Sequence, residues 1–135
     1  MGLVNTDQFS KALEIYGPNH VVAYARWAPT AYSSANNQTL TESEGISSVR
    51  QTAAGTFTVT FVARPKAIIP VSVNVIENDT TTYHFARCES TAISSTAGTA
   101  VVTHKSVAYA SVASGPALSD TVDEMVVIFI LRMEN

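Results

Sequence analysis

The sequence has 135 residues and a mass of 14.4 kDa, the usual size of one domain. Only 14% of the residues are charged, against about 25% in an average soluble domain, so uncharged side chains must cover much of the surface. The net charge of −3 and the scattered Lys and Arg residues argue against a nucleic-acid or anionic-membrane partner. No apolar run reaches the length of about 18 residues that a membrane helix needs.

The N-terminal residues show no targeting signal. They lack the basic start and hydrophobic block of a signal peptide, and the myristoylation pattern that begins at Gly2 is interpreted as a chance match. The single cysteine, Cys88, cannot form a disulfide within the chain, which indicates synthesis in a reducing cytoplasm.

The first predicted element is a short amphipathic helix over residues 7–15. Phe9, Leu13 and Tyr16 recur at helical spacing and form one narrow apolar stripe. A glycine and Pro18 then end the helix. Because so short a helix is marginal in water, it must dock on another surface.

After Pro18 the hydrophobic period changes to two, which predicts a strand over residues 20–27. One face of this strand carries Val21, Ala23, Ala25 and Trp27. For Trp27 two interpretations stay open. It is either a core residue or an aromatic anchor at a contact with a subunit or a glycan.

The next segments predict a polar loop and then a β-hairpin. The loop has a short strand near Thr39, and the hairpin consists of residues 46–51 and 55–63 with a turn between them. Gly55 permits the positive φ of a tight turn. The second hairpin strand alternates without exception, with Thr56, Thr58 and Thr60 outward and Phe57, Val59, Phe61 and Ala63 inward.

Four further strands are predicted in the rest of the chain. The first, residues 69–75, begins beside Pro70, which lacks an amide hydrogen and therefore indicates an edge strand. Residues 82–89 and 98–110 follow. The last strand, residues 124–133, is apolar on both faces, so it is either central or covered on its second face by another subunit.

These elements predict an all-β fold, an antiparallel, jelly-roll-like β-sandwich with a short N-terminal helix. The predicted boundaries are residues 1–19 for an N-terminal arm and residues 20–135 for the sandwich domain.

A search for catalytic and metal-binding patterns gives no candidate. His84 and Cys88 would lie on one face of a strand but about 13 Å apart, too far to hold one metal ion. Asp120, Asp123 and Glu124 lack the alternating pattern of a calcium loop. No nucleophile elbow, phosphate loop or dinucleotide fingerprint is present. We therefore predict that the protein is not an enzyme and uses no metal or cofactor.

The segment VVAYARW followed by ISSVRQTAAGTFTVTF resembles a β-sandwich module of tailed-phage virion proteins. The resemblance covers residues 20–76 and rests on hairpin and core residues. It implies a rigid module of the kind found on tail fibres, tail tips and capsid surfaces, commonly as trimers.

From this resemblance we expect a capsid cement or decoration protein that binds the major capsid protein as a homotrimer and stabilises the shell. It would be made in the cytoplasm of the bacterial host and end in the virion. The short segment before the first strand favours this role over a fibre-borne copy. The alternative is a tail-fibre or tail-tip module that binds a host glycan or another tail subunit. A cellular sugar-binding module ranks third.

For the N-terminal segment, residues 1–16, the hypothesis is an anchoring arm that docks through Phe9, Leu13 and Tyr16 on a neighbouring subunit or the shell. The other interpretation is a plug for one end of its own sandwich. Burial of these large side chains contributes about 1.5–3 kcal/mol each.

Deletion of residues 2–16 distinguishes the two. An arm predicts an unchanged melting temperature, measured by calorimetry, and loss of attachment to particles in co-sedimentation. A large loss of melting temperature in the isolated protein would contradict the arm hypothesis.

Overall fold

The computed structural model describes residues 19–120 and 122–133, and in them the fold is all-β, as predicted. The predicted N-terminal helix lies outside these residues. Two short 3₁₀ helices, Ser90–Ala92 and Tyr109–Ser114, interrupt the strands. The strands are β1 His20–Trp27, β2 Asn36–Asn37, β3 Leu40–Glu44, β4 Ile46–Ala53, β5 Thr56–Phe61, β6 Ala67–Ile76, β7 Thr82–Cys88, β8 Thr99–Ala108, β9 Ala117–Leu118 and β10 Glu124–Arg132.

The strands form two antiparallel sheets. Sheet A has the order β3-β1-β10-β6, and sheet B has the order β2-β4-β5-β8-β7, with β9 paired to β8 beyond the start of β5. Among the described residues the chain passes from sheet A to sheet B between β1 and β2, at Gly45, and between β6 and β7. As a result β6 and β7, which follow one another in the chain, are outermost strands of different sheets.

The apolar core lies between the sheets and contains the inward side chains of both. Trp27 of β1 is fully buried and contacts Phe57 of β5 edge-on, with ring centroids 5.5 Å apart. Phe61 and Phe129 make a second such contact at 5.1 Å. Each aromatic pair contributes about 0.5–1.5 kcal/mol beyond the burial of its surface. The core interpretation of Trp27 is therefore the one that the structure shows.

The hairpin of β4 and β5 has the predicted partners. Val49 pairs with Val59 and Ile46 with Phe61. All four side chains are buried, since each points inward from its strand. The alternation fixes this register, because a shift by one residue would turn the apolar side chains to the solvent.

The inward alternation ends sooner than predicted. β5 stops at Phe61, and Ala63 is exposed in the bend that follows. Val21, at the start of β1, is 44% exposed. Ala63 thus lies beyond the end of its strand and Val21 near the end of β1, where the described residues cover a side chain less completely.

The long polar segment before β4 is tied to the core by two buried glutamines. Gln38 accepts a hydrogen bond from the amide of Thr30 at 3.1 Å and donates to Asn36 at 2.7 Å and to Gln51 at 3.3 Å. Gln51 is fully buried and donates to Asp120 at 3.4 Å. A buried amide that lacks these partners would cost about 1–3 kcal/mol, so the network holds the segment in one conformation.

Three backbone segments meet at Gly55. Its carbonyl accepts from the His104 amide at 2.8 Å, and the Ser119 amide donates to the His104 carbonyl at 3.1 Å. Gly55 has a positive φ of 64°, as predicted. A Cβ atom there would contact the His104 carbonyl oxygen and lie 2.6 Å from the Ser119 backbone. Only glycine fits this position without displacement of the backbone.

Gly55→Ala should lower the free energy of unfolding by about 3 kcal/mol or more, because left-handed strain adds to a backbone clash. Gly98→Ala is the matched control, since Gly98 has a φ of 70° and its added Cβ would make only ordinary contacts at 3.7 Å or more. It should cost only about 1–2 kcal/mol of strain. Urea unfolding of both variants measures the difference, and equal losses would contradict the packing argument.

Candidate functional site

The side of the molecule where β6 and β7 face each other forms an open groove. Its volume is about 660 Å³. Val73 and Val75 of β6 line one wall, and His84 and Ala86 of β7 line the other. All four side chains are half-buried, and polar and charged side chains of the same strands and of β8 complete the lining of this shallow groove.

Two histidines that are distant in sequence meet beside this groove. His84 Nδ1 lies 3.0 Å from His104 Nε2, and the two rings are stacked with centroids 5.2 Å apart. The contact arises because His84 pairs with Ser106 and Ala86 with His104, which makes the histidines diagonal neighbours on the inner face of sheet B. The sequence analysis did not find this pair, since it depends on the register of β7 and β8.

Hydrogen bonding fixes the positions of the imidazole hydrogens. His104 Nδ1 lies 2.6 Å from the carbonyl oxygen of Ser119, so it must carry a hydrogen and donate it. When both rings are neutral, His104 Nε2 accepts from His84 Nδ1. His84 Nε2 is then left without a hydrogen, and it is buried with no hydrogen-bond partner among the described residues.

The pKa of His104 lies below its ordinary value. Burial is the main cause, and a positive charge on the facing His84 lowers it further. The Ser119 carbonyl and the carboxylates of Glu77 and Asp120 act in the opposite direction but do not outweigh burial. His104 therefore resists protonation, because an imidazolium there would be poorly solvated and would face a second ring.

The acidic residues near the groove hold loop backbone. Glu77 accepts from the amides of Asn78 and Asp79 at 2.9 and 3.0 Å, and from Asp123 at 3.1 Å. Hydrogen bonds to Thr82 and Thr81 lower the pKa of Asp79 to about 2. These carboxylates act as acceptors that shape the turn between β6 and β7.

The acids that the sequence analysis considered for calcium have similar roles. Asp120 accepts from the Tyr32 amide at 2.5 Å, and Asp123 accepts from the Asn78 amide at 3.3 Å. Glu124 forms an ion pair with Arg26 across sheet A, which lowers the pKa of its carboxyl. Within residues 19–120 and 122–133, no group of three or more His, Cys, Asp or Glu could hold a metal ion.

Cys88 lies at the end of β7, on the same face as His84, as predicted. Its thiol is half-buried, and burial raises its pKa. A thiol with a raised pKa is mostly protonated at neutral pH, so it is a weaker nucleophile than an exposed cysteine.

The proposed interface residues fall into two groups. Phe9, Leu13 and Tyr16 lie outside the described residues. Trp27 has no exposed surface, so its side chain cannot act as an interface anchor while the core is intact. Its indole Nε1 is buried without a hydrogen-bond partner in the described part of the chain.

An exposed apolar cluster lies on the outer face of sheet B. Tyr83 and Phe85 of β7 are 49% and 51% exposed, and the ring of Tyr83 packs against that of Tyr109 at 4.2 Å. Leu118, opposite Lys105 on the neighbouring strand, extends the cluster. The sequence analysis assigned no role to these residues. The alternation of β7 divides its side chains between two faces, but it does not show that the face with the aromatic side chains is the outer one.

The outer face of sheet A carries both apolar and charged side chains. Tyr24 of β1 pairs with Ile128 of β10, and Val22 pairs with Ile130. Tyr24, Ile128 and Val22 are only partly buried. Of the two interpretations of the last strand, the structure shows the central position, since β10 lies between β1 and β6.

Comparison with known proteins gives no relative: no family profile, curated protein or solved structure matches the chain. Among the described residues no helix has the length and hydrophobicity required to cross a membrane.

We expect the stability of the protein to fall as the pH drops through the ordinary histidine pKa of about 6.5. The pKa of His104 is lower in the folded state, so the unfolded chain binds the proton first and acidification favours unfolding. Urea unfolding at several pH values measures the slope. In His104→Gln the free energy of unfolding should depend less on pH in this window. Equal slopes in the two proteins would contradict the assignment.

Proposed function

We propose that this protein is a structural component of a tailed-phage virion, most specifically a cement or decoration protein that binds the major capsid protein and stabilises the shell. The support is the resemblance of residues 20–76 to that class of module, together with the two-sheet fold that these residues adopt. A jelly-roll-like topology belongs to the same proposal.

The observation that carries the proposal is the amount of apolar surface outside the core. Tyr24 and Ile128 on sheet A, and Tyr83 and Phe85 on sheet B, lie on outer faces that a single chain leaves partly or half exposed. Large exposed apolar patches mark sites of association. A protein whose outer faces are of this kind is suited to work by contact with other proteins.

The proposal includes self-association as a homotrimer. The outer face of sheet A is the surface that fits this contact, because β10 contributes apolar side chains on both of its faces. Met125, Val127 and Phe129 fill the core, while Val126 and Ile128 point outward and are partly exposed. Each side chain of this kind contributes about 1.5–3 kcal/mol when an association buries it fully.

One observation favours a second function, a tail-fibre or tail-tip module that binds a host glycan or another tail subunit. The exposed ring of Phe85 lies beside Asn74, Arg87 and Lys105 at the groove. An aromatic ring surrounded by hydrogen-bond donors is a suitable surface for a sugar, since such a ring has a large apolar face.

The copy number of the chain in purified virions tests the proposal. A cement protein binds at symmetry-related positions over the whole shell, so we expect on the order of hundreds of copies per virion. A tail component should be present in about a dozen copies or fewer. Quantitative mass spectrometry against the major capsid protein gives the ratio. Absence of the chain from particles would contradict both functions. A tail-like number with a signal on a glycan array would favour the second.

A further inference from the structure

The outermost strands of the two sheets differ in how well they are protected against pairing with another chain. β2 has only two residues, and β3 has five and carries Glu42 and Glu44. β6 contains Pro70 and a bulge beside it. Short length, charge, proline and bulges are the usual means by which proteins block such edges. β7 has none of these except one basic residue, Arg87, and it keeps a regular register with β8 over seven residues.

The hydrogen-bond pattern shows which groups of β7 are available. The amide of Tyr109 donates to Thr81, and the amide of Glu89 donates to Val101. In a regular antiparallel pair the bonded residues alternate, so the odd-numbered residues of β7 face β8. The backbone N–H and C=O groups that point away from the sheet therefore belong to Thr82, His84, Ala86 and Cys88. Among the described residues no strand of sheet B lies beyond them.

These groups are complementary to a second copy of the same strand. If two β7 strands run antiparallel with Phe85 opposite Phe85 of the second copy, Thr82 faces Cys88 and His84 faces Ala86. Four pairs of residues then face each other across the two strands, each joined by about two hydrogen bonds, and every outward peptide group has a partner. A register shifted by two residues would form only three such pairs.

The side chains favour the same register. Phe85 would lie against Phe85 of the second copy, as an aromatic cross-strand pair. Tyr83 would lie against Arg87 of the second copy, where a guanidinium on a tyrosine ring is attractive. Both Tyr83 and Arg87 are well exposed in one chain, and the guanidinium of Arg87, which is ion-paired with Glu89 there, would turn towards the tyrosine ring.

We infer that β7 is a self-association surface, at which two copies of this chain pair edge to edge and join their two copies of sheet B into one continuous sheet. The second strand would also cover the groove beside Val73 and Val75.

This contact goes beyond the proposed function and does not depend on it. Edge pairing of identical strands has two-fold symmetry and cannot close a trimer. A three-fold contact would have to use another surface, and the outer face of sheet A remains free for it.

Disulfide trapping in the purified full-length chain tests the pairing. In the predicted register the Cα atoms of the two Phe85 residues would lie about 4.5 Å apart, within the range for a disulfide. Those of the two Tyr83 residues would be separated by four positions along the strand, about 14 Å. The variants are Phe85→Cys and Tyr83→Cys, each combined with Cys88→Ser.

After mild oxidation with diamide, non-reducing electrophoresis should show at least about fivefold more linked dimer for Phe85→Cys than for Tyr83→Cys. The two positions are matched, since both are on the outer face of β7 and about half exposed. Adding Ala86→Pro to the Phe85→Cys variant should abolish the link, because it removes only an outward amide and edge strands tolerate proline. Circular dichroism checks that each variant is folded.

Equal cross-linking at positions 83 and 85, or no linked dimer for a folded Phe85→Cys variant at the highest soluble concentration, would overturn the inference. These experiments use no virion, so their failure would leave the proposed function unaffected.

Discussion

The close approach of backbone at Gly55 is the constraint on which much of sheet B depends. Because Gly55 has no side chain, β5 can begin directly beside His104. The segment at Ser119 can then also pack against His104. That arrangement aligns β9 with β5 along one edge of β8. It also places the Ser119 carbonyl where it receives the hydrogen of His104 Nδ1. The ring of His104 in turn contacts His84 of β7. One glycine thus connects the predicted hairpin to the strand at the far edge of the sheet.

The sequence predicts those parts of the fold in which a local pattern has one consistent solution. Phe57 and Val59 alternate with threonines, so only one face of β5 can be buried, and Gly55 is a turn residue by its position between two such runs. Pro70 indicates an edge strand because it cannot donate a hydrogen bond, and β6 is outermost in sheet A. The contact of His84 with His104 could not be predicted in this way. A shift of β7 along β8 by two residues keeps every side chain on its face but changes the relative position of the two rings, so local alternation does not choose between these registers.

Several of the few charged side chains hold loop backbone. Glu77 and Asp120 accept hydrogen bonds from loop amides, and the buried Gln51 links Asp120 to the core. Such bonds hold the connections between strands in one conformation. Apolar residues such as Ile128 and Phe85 are partly exposed on the outer faces of the sheets. These faces are surfaces that association can cover.

The energy of edge pairing indicates where it would take place. Eight backbone hydrogen bonds that replace bonds to water contribute about 0.5–1.5 kcal/mol each, whereas association of two molecules costs about 4–15 kcal/mol in lost freedom of motion. Pairing through β7 alone is therefore close to balance in dilute solution. If attachment through a second surface already holds many copies side by side, these copies have already lost most of their freedom of motion. The effective concentration of neighbouring β7 strands is then high. Strand pairing would then follow attachment, and it would link neighbouring copies only where the spacing of the underlying surface brings two β7 edges within hydrogen-bonding distance.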